Sequence, residues 1–327
     1  MNPSNDILPK RTVAPRPPSA VLHILSSFCS SVREWAEFVK FSHTIFALPF
    51  ALAAMVVAAR NHELRGWPGG RLFGLILLAM VCARTCAMSF NRIVDREFDK
   101  ANPRTAARHL PAGQISLARA WTLCVLSGLG LVAAGFLINP LCFYLSPVAL
   151  FFLCFYSLTK RFTDYTHVFL GIALALAPIG AWLAVSGTAI KPLELVSVFI
   201  LAAAVVFWLI GFDIIYALQD YDFDRRHGLH SLVVAWGPVN ALKAAFLAHL
   251  LMWGLLVFFG LLSQFRIAYF VGLLIILVSL LLEHWLARRR SLKWTNLAFF
   301  RLNALISVVF LTVTAAEVVF SAFRIIR

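Results

Sequence analysis

The sequence predicts an all-α integral membrane protein, nine transmembrane helices in one bundle, with the N-terminus cytoplasmic and the C-terminus outside. Three observations predict it. First, 61% of the 327 residues are hydrophobic and only 13% are charged, with a mean hydropathy of +0.83. Soluble domains run at roughly 45–50% apolar and about 25% charged, so a soluble enzyme, a disordered chain and a disulfide scaffold are excluded. Second, the apolar residues fall into nine runs of spanning length. Helices are the open-chain solution in lipid, because each backbone polar group must find its partner within its own segment. Third, Lys and Arg are distributed unevenly: 21 fall on the side of the N-terminus and 7 on the other, which marks the richer side as cytoplasm.

Residues 1–30 are rich in Pro and Ser and carry Lys10, Arg11 and Arg16. They lack the ordered regions of a cleaved signal peptide and are expected to form a disordered cytoplasmic arm. An interfacial helix near Ser30–Lys40 then opens a single transmembrane domain over 31–327. The nine apolar runs cover about 42–60, 70–93, 116–137, 141–158, 166–186, 194–217, 239–261, 267–286 and 300–322. Turn dipeptides such as Asn139-Pro140 and Gly237-Pro238 separate several of them. The formal charge of +14 follows from the basic loops that set topology, so no nucleic-acid partner is expected; the bilayer is the partner. The six cysteines form no CxxC pair and read as small buried apolar residues. His249 is expected to pack with its polar atoms satisfied, Glu283 and His284 to form an interfacial cluster with Arg288, and Glu317 to snorkel from the outer end of the last span.

The acids point to chemistry. Eight of the fifteen fall in three cytoplasmic-side segments: Asp95, Glu97, Asp99, Asp164, Asp213, Asp220, Asp222 and Asp224. Asn91, Asp95 and Asp99 are four apart at the end of the second run, and form one helical stripe. Asp213, Tyr216, Asp220 and Asp224 form a second stripe at the end of the sixth, with Asp222 pointing away into solvent. Like charges at this spacing repel, so two such pairs at one membrane face call for a cation. Carboxylate oxygens suit Mg²⁺, which typically bridges them to a substrate phosphate. Bases stand close in the chain: Lys100, Arg104 and Arg108 after the first pair, Arg225 and Arg226 after the second, and Lys160 and Arg161 at the end of the fourth run. Acids with a metal, surrounded by bases, fit a diphosphate. Arg84 lies about two turns inside the second span on the stripe Arg84–Met88–Asn91–Asp95–Asp99. Intramembrane Arg is costly and usually functional; the structural alternative is that it serves as partner to a backbone carbonyl or to Asp213.

These residues resemble the UbiA superfamily of intramembrane prenyltransferases. Its first motif, NDxxDxxxD, is similar to Asn91–Asp99, and its trailing RTxxRxLPxG pattern to Arg104–Gly113. Its second, DxxYAxQDxxDDxxxGxxS, is met by Asp213, Tyr216, Ala217, Gln219, Asp220, Asp224, Gly228 and Ser231, and YxxxKR by Tyr156, Lys160 and Arg161. The likeness runs from about Phe38 to Phe320 and includes the family's nine-helix bundle. Two positions depart: Arg92 and Phe223 stand where the family often has Asp. The segments Phe41–Pro49 and Arg225–Ser231 look like the 4-hydroxybenzoate polyprenyltransferase-like branch, some of whose members serve a futalosine route to menaquinone.

The resemblance implies Mg²⁺-dependent transfer of a polyprenyl group from polyprenyl diphosphate to a carboxylated phenol in quinone (ubiquinone or menaquinone) biosynthesis, with 1,4-dihydroxy-6-naphthoate as the alternative acceptor. It implies one Mg²⁺ on Asp95 and Asp99 and another on Asp220 and Asp224, with Asn91 assisting. Lys160, Arg161, Arg104 and Arg108 are the expected diphosphate ligands. Arg84, Tyr156, Tyr216, Asp213, Lys40 and His43 are expected around the aromatic acceptor and the allylic cation, with Arg84 pairing with a carboxylate on that acceptor. The rival of another class is a transporter, but transporters usually hold their binding acids near the bilayer midplane in broken helices, whereas both acid pairs here lie at one face.

Overall fold

A computed structural model describes residues 33–40, 44–62, 64–288 and 298–324. The expected arm over residues 1–30, and His43, lie outside the described residues. Among the described residues nine helices are long and apolar enough to cross a membrane. We number them α1 (Thr44–Asn61), α2 (Gly70–Val94), α3 (Leu117–Ile138), α4 (Pro140–Phe155), α5 (Thr166–Ser186), α6 (Pro192–Ala217), α7 (Leu232–Leu262), α8 (Ile267–Ala287) and α9 (Asn303–Arg324). Their starts are written in the sequence. Ser116 and Ser231 accept from the backbone N–H three residues on, at 3.3 and 3.2 Å. Asn139 does the same for Cys142 at 2.8 Å with Pro140 at the first helical position. The Asn139 amide also donates to the carbonyls of Leu183 and Ala184, at 3.0 and 3.3 Å, so one residue starts α4 and ties down the end of α5. The Gly237-Pro238 step is a break inside α7, with Gly237 at φ +74; a left-handed backbone favours Gly there.

The bundle is inverted relative to a soluble protein. Large apolar side chains such as Leu126, Phe136, Tyr144, Phe199 and Val278 face outward, where lipid tails take the place of water. Inside, small residues let backbones approach. A Cβ added at Gly171 on α5 would stand 2.9 Å from the Val206 carbonyl of α6, and one at Gly135 on α3 would stand 2.9 Å from the Cys142 carbonyl of α4. α1, lined with buried Ala51, Ala53, Ala54 and Ala58, packs against α5 and α9. Helices α5 to α9 then pack each on the next, while α2 packs on α3, α3 on α4 and α4 on α5. The main core joins Phe50, Met55, Trp182, Trp208, Phe259 and Phe310, all essentially buried.

Three polar expectations resolve inside this core. His249 is satisfied, bonded to His284 at 2.9 Å and to the Trp208 carbonyl at 3.2 Å. Glu283 and His284 are not interfacial. Glu283 is wholly buried and accepts from Asn303 Nδ2 at 2.7 Å, and Trp208 Nε1 donates to Asn303 Oδ1 at 2.7 Å. The chain of bonds across α6, α8 and α9 is inward because the start of α9 brings an amide to the Glu. Glu317 does not snorkel: it is buried and accepts from the Tyr269 N–H at 3.3 Å, in the first turn of α8. There it meets the N-terminal turn of a helix and the positive end of its dipole. Asn303→Leu removes the acceptor of Trp208 and a donor to Glu283, at about 1–3 kcal/mol for each group orphaned. Thermal unfolding in detergent should show a clearly lower midpoint, and an unchanged one would mean the buried chain carries no stability.

Candidate active site

Both acid stripes lie where a long helix gives way to a short one. α2 ends at Val94, Asp95 takes φ −92 and ψ 3, and a short helix Arg96–Ala101 follows. The amide bonds Asp95 N→Asn91 O (3.0 Å) and Asp99 N→Asp95 O (2.8 Å) carry the i,i+4 spacing across the break, so the stripe survives it. α6 ends at Ala217, a 3₁₀ turn spans Leu218–Asp220, and a short helix runs Tyr221–Arg226. Asp222 is exposed, as expected from its phase. Beyond the first stripe the chain folds back: Thr105 Oγ1 donates to the Asp99 carbonyl at 3.0 Å and Arg104 N to Asn102 Oδ1 at 3.0 Å. That return sets Arg104 and Arg108 over the acids. Lys160 and Arg161 end a 3₁₀ segment, Tyr156–Arg161, that continues α4.

Each acid meets a base. Arg104 forks onto Asp220, Nε to Oδ1 at 2.8 Å and Nη2 to Oδ2 at 2.5 Å, while its Nη1 donates to the Tyr216 hydroxyl at 2.9 Å. Asn102 Nδ2 adds a bond to Asp220 Oδ1 at 3.1 Å. Arg108 Nη1 donates to Asp99 Oδ1 at 2.6 Å, with Arg92 3.8 Å from the other oxygen. Lys160 lies 3.5 Å from Asp224, and Arg161 3.7 Å from Asp95, whose Oδ2 also accepts from Asn91 at 2.9 Å. Asp99, Asp220 and Asp224 are buried. Burial pushes the Asp95 carboxyl up to about 6, with the Lys160 charge pulling the other way and Asp99 adding to the rise. Burial lowers the Lys40 ammonium, and the charges of Arg92, Arg108 and Arg104 lower it further.

No three His, Cys, Asp or Glu side chains converge as a metal cage among the described residues. Two carboxylate oxygens, Asp99 Oδ2 and Asp224 Oδ2, are nevertheless buried without a hydrogen bond. One belongs to each stripe. Mg²⁺ is usually held by one or two carboxylates plus substrate phosphate, with water completing its shell, rather than by an all-protein cage. The donor set therefore fits Mg²⁺ delivered with a phosphorylated substrate.

One cavity of about 1270 Å³ gathers Asn91, Asp95, Asp99, Arg104, Arg108, Tyr156, Lys160, Arg161, Asp213, Tyr216, Asp220 and Asp224, together with Lys40 and Arg84. Beyond these polar walls it is apolar, lined by Leu131, Leu145, Leu170, Leu174, Ala177 and Leu183 among others. From Thr166 to Leu183 it follows α5 for about 26 Å at 1.5 Å per residue. Its size exceeds the roughly 300–1,000 Å³ of a pocket for a drug-sized ligand.

Arg84 takes the backbone-carbonyl alternative in part: Nη2 donates to the Lys40 carbonyl at 3.3 Å, while Nε is buried without a partner. It does not pair with Asp213, whose Oδ2 is bonded to His167 Nδ1 at 2.6 Å. The residues that spacing missed are Arg92, Asn102 and His167. Arg92 was visible as a departure from the motif and Asn102 sat just before the trailing basic pattern. His167 had no signal beyond being an ionisable residue in the first turn of an apolar run.

Residues 47–305 match the UbiA prenyltransferase family. Over 254 residues the chain is 32% identical to the 4-hydroxybenzoate octaprenyltransferase of Methylobacillus flagellatus, covering 77% of this chain and 83% of that one. The apo structure of a UbiA homolog from Aeropyrum pernix K1 superposes with a TM-score of 0.75 at 30% identity, over 86% of this chain and 98% of that one. A UbiA homolog from Archaeoglobus fulgidus, solved bound to GPP and Mg²⁺, shares the fold with a TM-score of 0.68 at 22% identity, over 88% and 99% of the two chains. With the polar-mouthed cavity and the spanning helices described above, these matches lead to one conclusion: the chain belongs to the UbiA prenyltransferase family and is a multi-pass integral membrane prenyltransferase.

Proposed function

We propose that this enzyme transfers a polyprenyl group from polyprenyl diphosphate to a carboxylated phenol of the 4-hydroxybenzoate type, for quinone biosynthesis. The active site faces the cytoplasm across the bacterial inner membrane, with the N-terminus inside and the C-terminus outside. The observation that carries the reading is the sharing of one cavity by both acid stripes, four bases, an intramembrane Arg and a long apolar wall. The names of the relatives support the acceptor class, and the ligands of the Archaeoglobus fulgidus homolog support the donor and the ion.

Asp95 and Asp99, assisted by Asn91, and Asp220 and Asp224 are the residues that would hold Mg²⁺. When bound, Mg²⁺ supplies positive charge that polarises the phosphoryl oxygens and stabilises the leaving diphosphate. Arg104, Arg108, Lys160 and Arg161 already hold carboxylates in charge-assisted contacts, so the same groups can take anionic diphosphate oxygens in equivalent geometry. Tyr156 and Tyr216 border the cavity where an allylic cation would form. The Tyr216 ring already carries the Arg104 guanidinium 5.3 Å from its centroid, and such a contact is worth about 0.5–2 kcal/mol. The apolar wall takes the isoprenoid tail and keeps water from the cation. Arg84 receives the acceptor's carboxylate, its buried Nε being free for a second bond, while Lys40 adds charge beside it.

The test is direct. Purified enzyme with Mg²⁺, a polyprenyl diphosphate and 4-hydroxybenzoate should release diphosphate and yield a prenylated phenol, with 1,4-dihydroxy-6-naphthoate run in parallel to choose between acceptors. EDTA should abolish turnover, and Asp95→Asn should lower kcat by about 10²–10³-fold, the usual loss of one electrostatic contact to the transition state. Absence of product with every phenol, beside EDTA-insensitive solute uptake into liposomes, would favour the transporter. Arg84→Ala should raise KM for the carboxylated acceptor by a factor on the order of 30 or more, the equivalent of about 2 kcal/mol, with KM for the prenyl donor unchanged. Unchanged acceptor affinity would remove the carboxylate role.

A further inference from the structure

The proposed reaction leaves one proton to be placed. As the ring carbon bonds to the prenyl carbon, the C–O bond breaks and diphosphate keeps its electron pair. The alkylated ring carbon still holds its hydrogen, and aromaticity returns when that hydrogen leaves as a proton and the C–H pair returns to the ring. The acceptor of that proton must be a cavity-wall base at the depth of the aromatic ring.

Of the five aspartates on the cavity wall, four make their ion pair with Arg or Lys: Asp95 with Arg161, Asp99 with Arg108, Asp220 with Arg104 and Asp224 with Lys160. Asp213 makes its own with His167, Nδ1 to Oδ2 at 2.6 Å. His167 is wholly buried in the first turn of α5, and its Nε2 has no hydrogen-bond partner. A carboxylate can only accept, so Nδ1 carries the hydrogen. That single contact holds one carboxylate oxygen in place and leaves the other, Oδ1, open toward the cavity. Depth agrees. Arg84 precedes Asp95, the first acid of its pair, by eleven residues, and Asp213 precedes Asp220 by seven, so Arg84 lies about 16 Å and Asp213 about 10 Å inward of the acids, with Arg84 the deeper. An acceptor with its carboxylate on Arg84 therefore holds its ring at the level of Asp213.

We propose that Asp213 accepts the ring proton through its free oxygen and that His167 is the positioning residue that holds Asp213 for this step. The inference rests on the prenyl-transfer reading above, and wild-type turnover tests that reading separately. The experiment compares 4-hydroxybenzoate with acceptor deuterated at the ring carbons beside the hydroxyl, in wild type, Asp213→Asn, His167→Leu and His167→Asn, the last keeping an N–H donor near the Nδ1 position. Asp213→Asn should lower kcat by about 10²-fold, as loss of a general base does. His167→Leu should approach the about 10²-fold loss of a misplaced catalytic group, with KM for the prenyl donor unchanged. In both, proton loss becomes slow enough for a primary deuterium isotope effect to appear that wild type lacks, and His167→Asn should recover rate and suppress the effect. Wild-type kcat in Asp213→Asn overturns the base assignment. A His167→Leu variant with wild-type kcat, or one slowed with no isotope effect, overturns the positioning role. If His167→Leu fails to fold, Asp213→Asn and His167→Asn decide by the same readouts. A wild-type enzyme that prenylates no phenol removes both this inference and the reading beneath it.

Discussion

The fork from Arg104 to Asp220 joins the loop that follows α2 to the turn that ends α6. The rest of the site is arranged around it. Asn102 reaches the same carboxylate, and the Tyr216 hydroxyl accepts a further guanidinium hydrogen. Two segments more than a hundred residues apart in sequence are thereby fixed in one register. The fork is bidentate and partly shielded from water, so it has the geometry and local dielectric in which a charge pair holds its partners firmly.

Why so many bases are needed follows from where the acids sit. Asp95 and Asp220 follow the C-terminal ends of long helices, where the helix dipole is negative and carboxylates are disfavoured. Burial adds to that cost, as the raised Asp95 carboxyl shows. A buried charge must be paired, and Arg104, Arg108, Lys160 and Arg161 provide the pairing. The arrangement stores attraction in a form that an incoming anion and its cations can replace. On the proposed function, acids suited to a metal and bases suited to a diphosphate would hold one another until the substrate brought its own partners. Asp99 Oδ2 and Asp224 Oδ2, buried without hydrogen bonds, are the points at which that mutual satisfaction is incomplete.

α6 serves two purposes on two faces. One face carries Leu209, Phe212, Asp213 and Tyr216 into the cavity. The other carries Trp208 into the buried chain with Asn303 and Glu283, and Gly211 against the His249 ring, where an added Cβ would stand 2.3 Å from Cδ2. Gly171 on α5 allows the neighbouring wall to close on the Val206 backbone. α6 is thus braced on the side away from the cavity by α7, α8 and α9, which contribute no side chain to the cavity wall among the described residues.

Span positions were legible in the sequence because in lipid a helix must be long, apolar and internally hydrogen-bonded, and the nine apolar runs agree with the nine helices to within a few residues, the earlier start of α7 at Leu232 apart. The acid stripes were legible too, because i,i+4 spacing is a property of one helix and needs no knowledge of its neighbours. What spacing could not supply was partnership between helices. Glu283 and Glu317 looked interfacial by position, yet tertiary contacts turned one toward Asn303 and the other to the N-terminal turn of α8. Arg84 found the Lys40 carbonyl, and Asp213 found His167, a residue 46 positions away with no pattern to announce it. Local periodicity determines which residues share a face. Which faces meet is decided by packing, where small residues such as Gly171, Gly135 and Gly211 set how closely two backbones come and so which polar groups fall within reach.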